Sequence, residues 1–380
     1  MNVQKKSNKK DPKEMRHGYT TGACATAMTK ASLLTLITNE VQEQVTIFLP
    51  AGQFATFDVA ETVTSEGMVS CTTIKDAGDD PDVTHLARIV SSVRFVDKPG
   101  IHLDGGVGVG RVTKPGLPVP VGEAAINPVP RKMLLAVVQE IIESYQVDKG
   151  IEVIISVPDG VELAKKTLNG RLGIIGGISI LGTRGIVVPF SSSAYMASIV
   201  QAISVAKEAG CDHLVLTTGG RSEKFAMKQY PDLQEEAFIE MGDFVGFTLK
   251  HIKKKEIPYV SLVGMMGKFS KLAQGNMMLH SKSAPIDFGF LAKVAKRAGA
   301  SEEVQQQVEQ ANTASQVGEL MKEQGFTAFF DYLCRYCSYH AITHVNGGIS
   351  VSTAFYTMGG DCLGKVDHID TIDEDDWDRG

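Results

Sequence analysis

The sequence predicts a two-domain protein of mixed α/β and α+β class: an N-terminal two-layer α+β sandwich, then a three-layer Rossmann-like α/β domain ending in a helical C-terminal tail. Three observations carry that expectation. Up to about residue 147 the chain strings short β-forming segments between glycine and proline turns; from 153 to 263 β-branched runs alternate with helical windows; beyond 286 the period is mostly helical. With 380 residues, 43% hydrophobic and 22% charged, the chain is long enough for two such domains and buries enough surface to need no disulfide framework. The expected divisions are a disordered tail at 1–16, an α+β substrate-binding domain at 17–147, an α/β domain at 148–300 and a mostly helical extension at 301–380.

Each element has a local reason. Thr20-Thr21-Gly22 can cap a helix over the alanine-rich run 23–37. Residues 45–49, 56–59 and 67–74 read as antiparallel strands, 76–82 as an acidic turn, 93–96 and 105–112 as further strand pieces, and 133–144 as a helix with one apolar face. In the second domain 153–157 is a continuous apolar strand, followed by a helix at 160–168, short strands at 174–175 and 186–188, a helix at 194–209 and a strand at 213–216. A helix over 232–241 and strands over 245–249 and 259–263 continue the series, and the tail gives helices at 290–298, 301–310 and 314–321.

Composition removes several function classes. The formal charge is −6, from 38 basic against 44 acidic residues, and the last stretch from Asp367 is strongly acidic, which disfavours a nucleic-acid partner. The most apolar segment, 172–190, holds Arg184, five glycines and a proline, so no membrane span is expected. Six widely spaced cysteines without a secretory signal fit a reducing, cytoplasmic setting, and the sequence is compatible with a homo-oligomer.

Glycine, at 38 of 380 residues, clusters in loops, and four such loops in the second domain fall where a parallel sheet places ligands: 157–160, 176–185, 217–223 and 264–268. They expose backbone amides to an adenosine, a carboxylate or a phosphate alike. A strict G-x-G-x-x-G after the first strand and a P-loop lysine are both missing, which weakens dinucleotide and triphosphate readings. Loop cations Lys75, Arg111, Lys114 and Arg131 could line a cleft for a polyanion despite the negative net charge. Asp79, Asp104, Asp243 and His280 are unranked candidates for a general base. Cys334, Cys337 and His340, with Cys362 downstream, have metal-like spacing within an aromatic helical segment that lacks a second C-x-x-C; no metal is assigned, and whether they bind one stays open.

Taken in order, G-Y-T-T-G-A-C at 18–24, D-A-G-D-D-P-D at 76–82, G-V-G-R-V-T-K-P-G-L at 108–117, A-I-N-P-V-P-R at 125–131, R-L-G-I at 171–174 through Gly185, T-G-G-R-S-E at 218–223 and H-S at 280–281 resemble the cobalt-precorrin-5B C1-methyltransferase family (CbiD). The similarity covers about residues 16–300; the tail with its cysteine pair matches weakly. The resemblance implies methyl transfer from S-adenosylmethionine to carbon 1 of a cobalt-containing tetrapyrrole, with cobalt arriving inside the substrate. On that reading Gly176, Gly177, Gly182, Thr183, Thr218, Gly219 and Gly220 are expected to hold the donor. Thr20, Thr21, Lys75, Arg111, Lys114, Arg131, Arg184 and Arg221 are expected to meet the acid-rimmed macrocycle. Two other classes share these loops: a non-catalytic corrinoid or polycarboxylate carrier, which would ignore S-adenosylmethionine, and an α/β oxidoreductase, which nicotinamide binding would reveal.

Overall fold

A computed structural model describes residues 15–283 and 285–370. It divides the chain into two compact units, Met1–Ser192 and Ser193–Gly380, each mixed in α and β. Most of the tail expected to be disordered, and the final ten residues, lie outside the described residues. Arg16 does not belong to such a tail: its guanidinium pairs with Asp76 and its backbone N–H donates to Asp79 at 3.0 Å. The hydrogen bond from Arg16 is the main reason the Asp76 carboxyl sits low, at about 2.

Unit 1 runs β1 (Gly18–Tyr19), α1 (Thr21–Thr38), β2 (Gln44–Leu49), β3 (Gln53–Asp58), β4 (Glu61–Ser65), β5 (Met68–Ile74), β6 (Arg88–Val96), β7 (Ile101–Gly105), β8 (Arg111–Val112), α2 (Pro128–Tyr145), β9 (Gly150–Ser156), α3 (Gly160–Ala164), β10 (Ile174–Ile175) and β11 (Ile186–Val187). Its main sheet has the order β4-β5-β6-β9-β7, antiparallel except where β7 runs parallel to β9. Helix α1 lies on β5 and β6. Its side chains are mostly small alanines, threonines and serine, and it is buried over most of its circumference. Small side chains let its backbone approach the sheet closely: Thr29 and Ser32 bond Ser91, and Ser32 Oγ accepts from the N–H of Cys71.

The boundary therefore falls at residue 192, not 147. Strand β9, expected to open the second domain, inserts between β6 and β7, with Ile151, Val153 and Ile155 buried and the residues between them only half-buried. Its β-branched run is a one-faced strand of the first unit. Strands β10 and β11 stay there too, pairing with β8 and β1.

Unit 2 contains α4 (Ser192–Glu208), β12 (His213–Thr217), α5 (Gly220–Gln229), a 3-10 turn Glu235–Ala237, β13 (Phe238–Glu240), α6 (Val245–Lys254), β14 (Tyr259–Met265), α7 (Met266–Leu272), α8 (Phe288–Arg297), α9 (Glu302–Glu309), α10 (Ala314–Glu323), α11 (Thr327–His344), β15 (Ser350–Tyr356) and β16 (Cys362–Ile369). The sheet order is β13-β12-β14-β15-β16, parallel through β15, with β16 antiparallel at the edge. Almost every residue of β12, β14 and β15 is buried, as in strands covered on both faces.

Three expectations give way here. The helix expected over 232–241 is the 3-10 turn and edge strand β13, because Phe238 and Ile239 pair with β12 and fill the core. The strand expected over 245–249 is the start of α6, whose buried set Val245, Leu249 and Ile252 has helical spacing once the window extends past 249. The tail is helical only to His344; β15 and β16 then complete the sheet.

One polar line crosses this sheet. His213 Nε2 meets Ser261 Oγ at 2.7 Å and Ser261 meets Ser352 at 2.6 Å. Burial, with His368 nearby, lowers the His213 imidazole to about 4. A histidine neutral when folded but protonating near 6.5 when unfolded withdraws stability as pH falls through the interval from about 6.5 to about 4. Discounted for partial exposure, its share is roughly 1–2 kcal/mol. His213→Phe should flatten acid unfolding in that window, measured by urea denaturation at successive pH values; an unchanged slope would remove His213 as the cause.

Candidate functional site

Strand order decides where to look in unit 2. From β12 the chain moves to β13 on one side and then returns to β14 on the other, so the order reverses between β12 and β14, where open parallel sheets form a crevice beyond their carboxyl ends. A cavity of about 740 Å³ lies there. Thr218, Gly219, Gly220 and Arg221 line it after β12, Met266, Gly267 and Lys268 after β14, Tyr356 to Gly359 after β15, and Glu319, Lys322 and Glu323 from α10.

Three glycines of this cavity, Gly219, Gly220 and Gly267, have bare surroundings, whereas a Cβ on Gly318 would lie 2.7 Å from Met266 Cγ. A Cβ built on Gly220 or Gly267 meets nothing within 4 Å, and one on Gly219 meets only Glu240 Oε1, at 3.9 Å. No protein atom crowds these positions, as in a backbone cradle for a ligand, although Gly219, at φ +159, also uses glycine's backbone freedom. Lys268 Nζ donates to the carbonyl of Thr218 at 3.2 Å and lies 3.0 Å from Asp243 Oδ1, tying the loops after β12, β13 and β14 together. Burial raises the Tyr356 phenol to about 12, so it stays protonated and donates to Gln229 at 2.7 Å. The Thr217 hydroxyl, at the end of β12, is wholly buried without a hydrogen-bond partner.

Of the expected donor loops, only Thr218, Gly219 and Gly220 belong to this sheet. Gly176, Gly177, Gly182 and Thr183 lie in unit 1 between β10 and β11. Two of them are glycine for a packing reason: a Cβ on Gly177 would lie 2.1 Å from the carbonyl oxygen of Gly108, and one on Gly182 would lie 2.5 Å from the Thr20 side chain.

Unit 1 has its own smaller hollow of about 170 Å³ over the start of α1, lined by Thr20, Thr21, Asp82, Thr84, Asn169 and Leu181 among others. Thr20 caps α1 through the N–H of Ala23, and Thr21 Oγ1 accepts from the N–H of Leu181. The expected substrate cations of this unit engage carboxylates or pack. Arg111 pairs with Asp104 at 3.0 Å, Arg131 with Glu123 at 2.9 Å, and Lys75, only 1% exposed, with Asp82 at 2.6 Å. The Lys114 stem lies against Gly173, and Arg184 is exposed. Arg221, in unit 2, points Nη1 at Met358 Sδ, 3.4 Å away.

The candidate bases separate in the same way. Asp79 and Asp104 are in unit 1, and His280 is exposed and accepts from the N–H of Lys282 in its own turn. Asp243 alone contacts a residue of the larger cavity among the four. Cys334 and Cys337 are buried in α11, where burial pushes both thiols well above their usual range. Among the described residues no group of three potential ligands converges. Sequence reasoning missed Glu240 and Tyr356, hidden by the helical readings of 232–241 and of the tail. It also missed the α10 residues, which carry no loop signal. No described helix is long and apolar enough to cross a membrane.

A parallel sheet with an open, glycine-lined cavity at its order reversal defines a ligand-binding α/β protein. Comparison narrows the class: sequence profiles described as CbiD and as CbiD, C-terminal domain, match residues 8–189 and 278–367. A cobalt-precorrin-5B C(1)-methyltransferase of Geobacillus sp. (strain WCH70) is 66% identical over 93% of this chain and 97% of its own. One of Priestia megaterium is 64% identical over 94% and 97%. The chain belongs to the CbiD family. A crystal structure of cobalamin biosynthesis protein (cbiD) from Archaeoglobus fulgidus aligns with 24% identity and a TM-score of 0.36 over 82% of this chain and 85% of that one, too loosely to bear on the site.

Proposed function

We propose that the protein transfers a methyl group from S-adenosylmethionine to carbon 1 of cobalt-precorrin-5B, giving cobalt-precorrin-6A in cobalamin biosynthesis. The observation that carries this reading is the similarity to four relatives of that name, 60–66% identical over 93–96% of this chain. The cavity supports it. Read as a Rossmann-like arrangement, the unit 2 sheet offers Thr218, Gly219, Gly220 and Gly267 as the donor cradle, and about 740 Å³ is within the range of pockets for ligands of that size. The donor, when bound, supplies an electrophilic methyl on a charged sulfur, so the chain's task is to align it and exclude water.

Cobalt enters as part of the substrate. Arg111 and Arg131 suit the acid rim of a tetrapyrrole because their pairs with Asp104 and Glu123 are exposed. Exposed pairs are worth about 0–1 kcal/mol, so a substrate carboxylate can displace either partner. Lys75 does not suit that role; buried against Asp82, it organises the loop. If carbon 1 methylation releases a ring proton, Asp243 beside Lys268 is the acceptor this geometry favours. The test is anaerobic incubation with cobalt-precorrin-5B and methyl-labelled S-adenosylmethionine. One label per tetrapyrrole and matching S-adenosylhomocysteine are expected; a bound but unlabelled tetrapyrrole would leave a carrier instead.

A further inference from the structure

A donor seated in the unit 2 cavity has a ribose, and a ribose diol taken out of water requires an acceptor. The acceptor has to stand at the carboxyl end of the strand next to β12, on the side away from β14. In that position is Glu240. It is the last residue of β13, its Cα is the register partner of Thr217, and Thr217 leads directly into Thr218-Gly219-Gly220.

The sequence distance agrees. Glu240 follows Gly220 by 240 − 220 = 20 residues, and an acidic residue about 20 positions after a glycine turn is the one that accepts from ribose hydroxyls in open α/β nucleotide sites. The glycine repeat of such sites cradles a pyrophosphate. A sulfonium donor has none, so the loop T-G-G-R-S needs no such repeat to receive it. Gly219 makes the approach open: Glu240 Oε1 is the one protein atom within 4 Å of where its Cβ would be.

We infer that Glu240 holds the ribose of the methyl donor, its two carboxylate oxygens accepting from the 2′- and 3′-hydroxyls across the bare Cα of Gly219; this rests on the donor reading above. Glu223 and Asp243 lie close enough, with Glu240, to act on the Tyr195 phenol, whose hydroxyl donates to the Glu240 carbonyl at 3.3 Å. Lys268 offsets Asp243, so the carboxylate that would select a neutral diol over a 2′-phosphorylated ribose is that of Glu240 itself.

The test is calorimetric binding of S-adenosylhomocysteine and its 2′,3′-dideoxy counterpart to the intact chain, wild type and Glu240→Gln. Wild type is expected to bind the dideoxy compound about tenfold or more weaker, because a charge-assisted pair of hydrogen bonds is lost. Glu240→Gln should weaken S-adenosylhomocysteine by a similar factor and bring the two ligands within about twofold. Equal binding of both ligands by wild type would overturn Glu240 while leaving the donor site in place, and that measurement needs no variant to fold. Retention of the full wild-type preference in Glu240→Gln would do the same. No binding of S-adenosylhomocysteine to wild type would overturn the donor reading and this inference together.

Discussion

Gly177→Ala is expected to lower the melting temperature by roughly 10 °C, whereas Gly220→Leu should leave it within about 2 °C and weaken S-adenosylhomocysteine binding at least about a hundredfold. The two glycines look alike in sequence and differ in what surrounds them. The new Cβ at 177 would sit 2.1 Å from the oxygen and 2.2 Å from the carbon of the Gly108 carbonyl. That carbonyl cannot yield. A Cβ on Gly160 would also fall 2.0 Å from its oxygen, the N–H of Ile178 donates to it at 2.9 Å, and Gly108 itself holds φ +72 with Val157 pressed against it. Forcing a methyl into such backbone contact costs about 3 kcal/mol, and each kcal/mol shifts the melting temperature of a domain this size by about 2–4 °C.

At Gly220 no protein atom lies within 4 Å of the added Cβ, its φ is not in the left-handed region, and it lines the cavity, so a leucine there is expected to take up cavity space. Calorimetry of unfolding and of ligand binding on both variants separates the roles. If Gly220→Leu bound the donor product as wild type does, the cradle would be elsewhere. If Gly177→Ala melted unchanged, the backbone contact would not be limiting.

Motifs were easier to read than their environment. The capped start of α1, the strands of β5, β12 and β14, and the loop after β12 were legible because each depends on a short local signal: a threonine cap, alternation, or glycine after an apolar run. What failed depended on partners distant in sequence. The run in β9 fits a buried parallel strand as well as a half-covered antiparallel one, and only its pairing with β6 decides. The exception is local: residues 245–249 fit a strand until Ile252, three positions on, is counted with them. Glu240 was invisible for the long-range reason: a glutamate in an apparent helix is a solvated face, and it becomes a candidate ligand only once Phe238 and Ile239 are seen to pair with β12. Similarly, the glycines at 177, 182 and 219–220 belong to one visual class in the sequence, and only the space around each distinguishes those packed against neighbouring atoms from those left open.

Asp82→Asn should destabilise the protein by about 3 kcal/mol, while Lys75→Met should cost less than about 1.5 kcal/mol or stabilise slightly. Lys75 is almost wholly buried, and Asp82 Oδ2 receives its ammonium at 2.6 Å. The other carboxylate oxygen accepts from the backbone N–H and hydroxyl of Thr84, each at 2.7 Å. Burial alone would raise the Asp82 carboxyl; the charge of Lys75 and the hydrogen bonds from Lys75 and Thr84 outweigh it and hold the group below its ordinary range. Removing the negative partner leaves a buried ammonium uncompensated, whereas removing the ammonium leaves a carboxylate that is a quarter exposed and still holds Thr84.

The sign with pH follows from the direction of the Asp82 shift. A carboxyl lower in the folded state contributes stability above the unfolded value of about 3.9, and that share is lost as pH falls below it. Asp82→Asn should therefore be the weaker protein at pH 7 and show a shallower loss below about pH 4. Urea denaturation of the two single variants and the double variant closes the cycle: the double should lie nearer Lys75→Met than Asp82→Asn, because no unpaired ammonium remains. A double variant as unstable as Asp82→Asn would mean that the loop over the start of α1 depends on the Thr84 bonds and not on the ion pair.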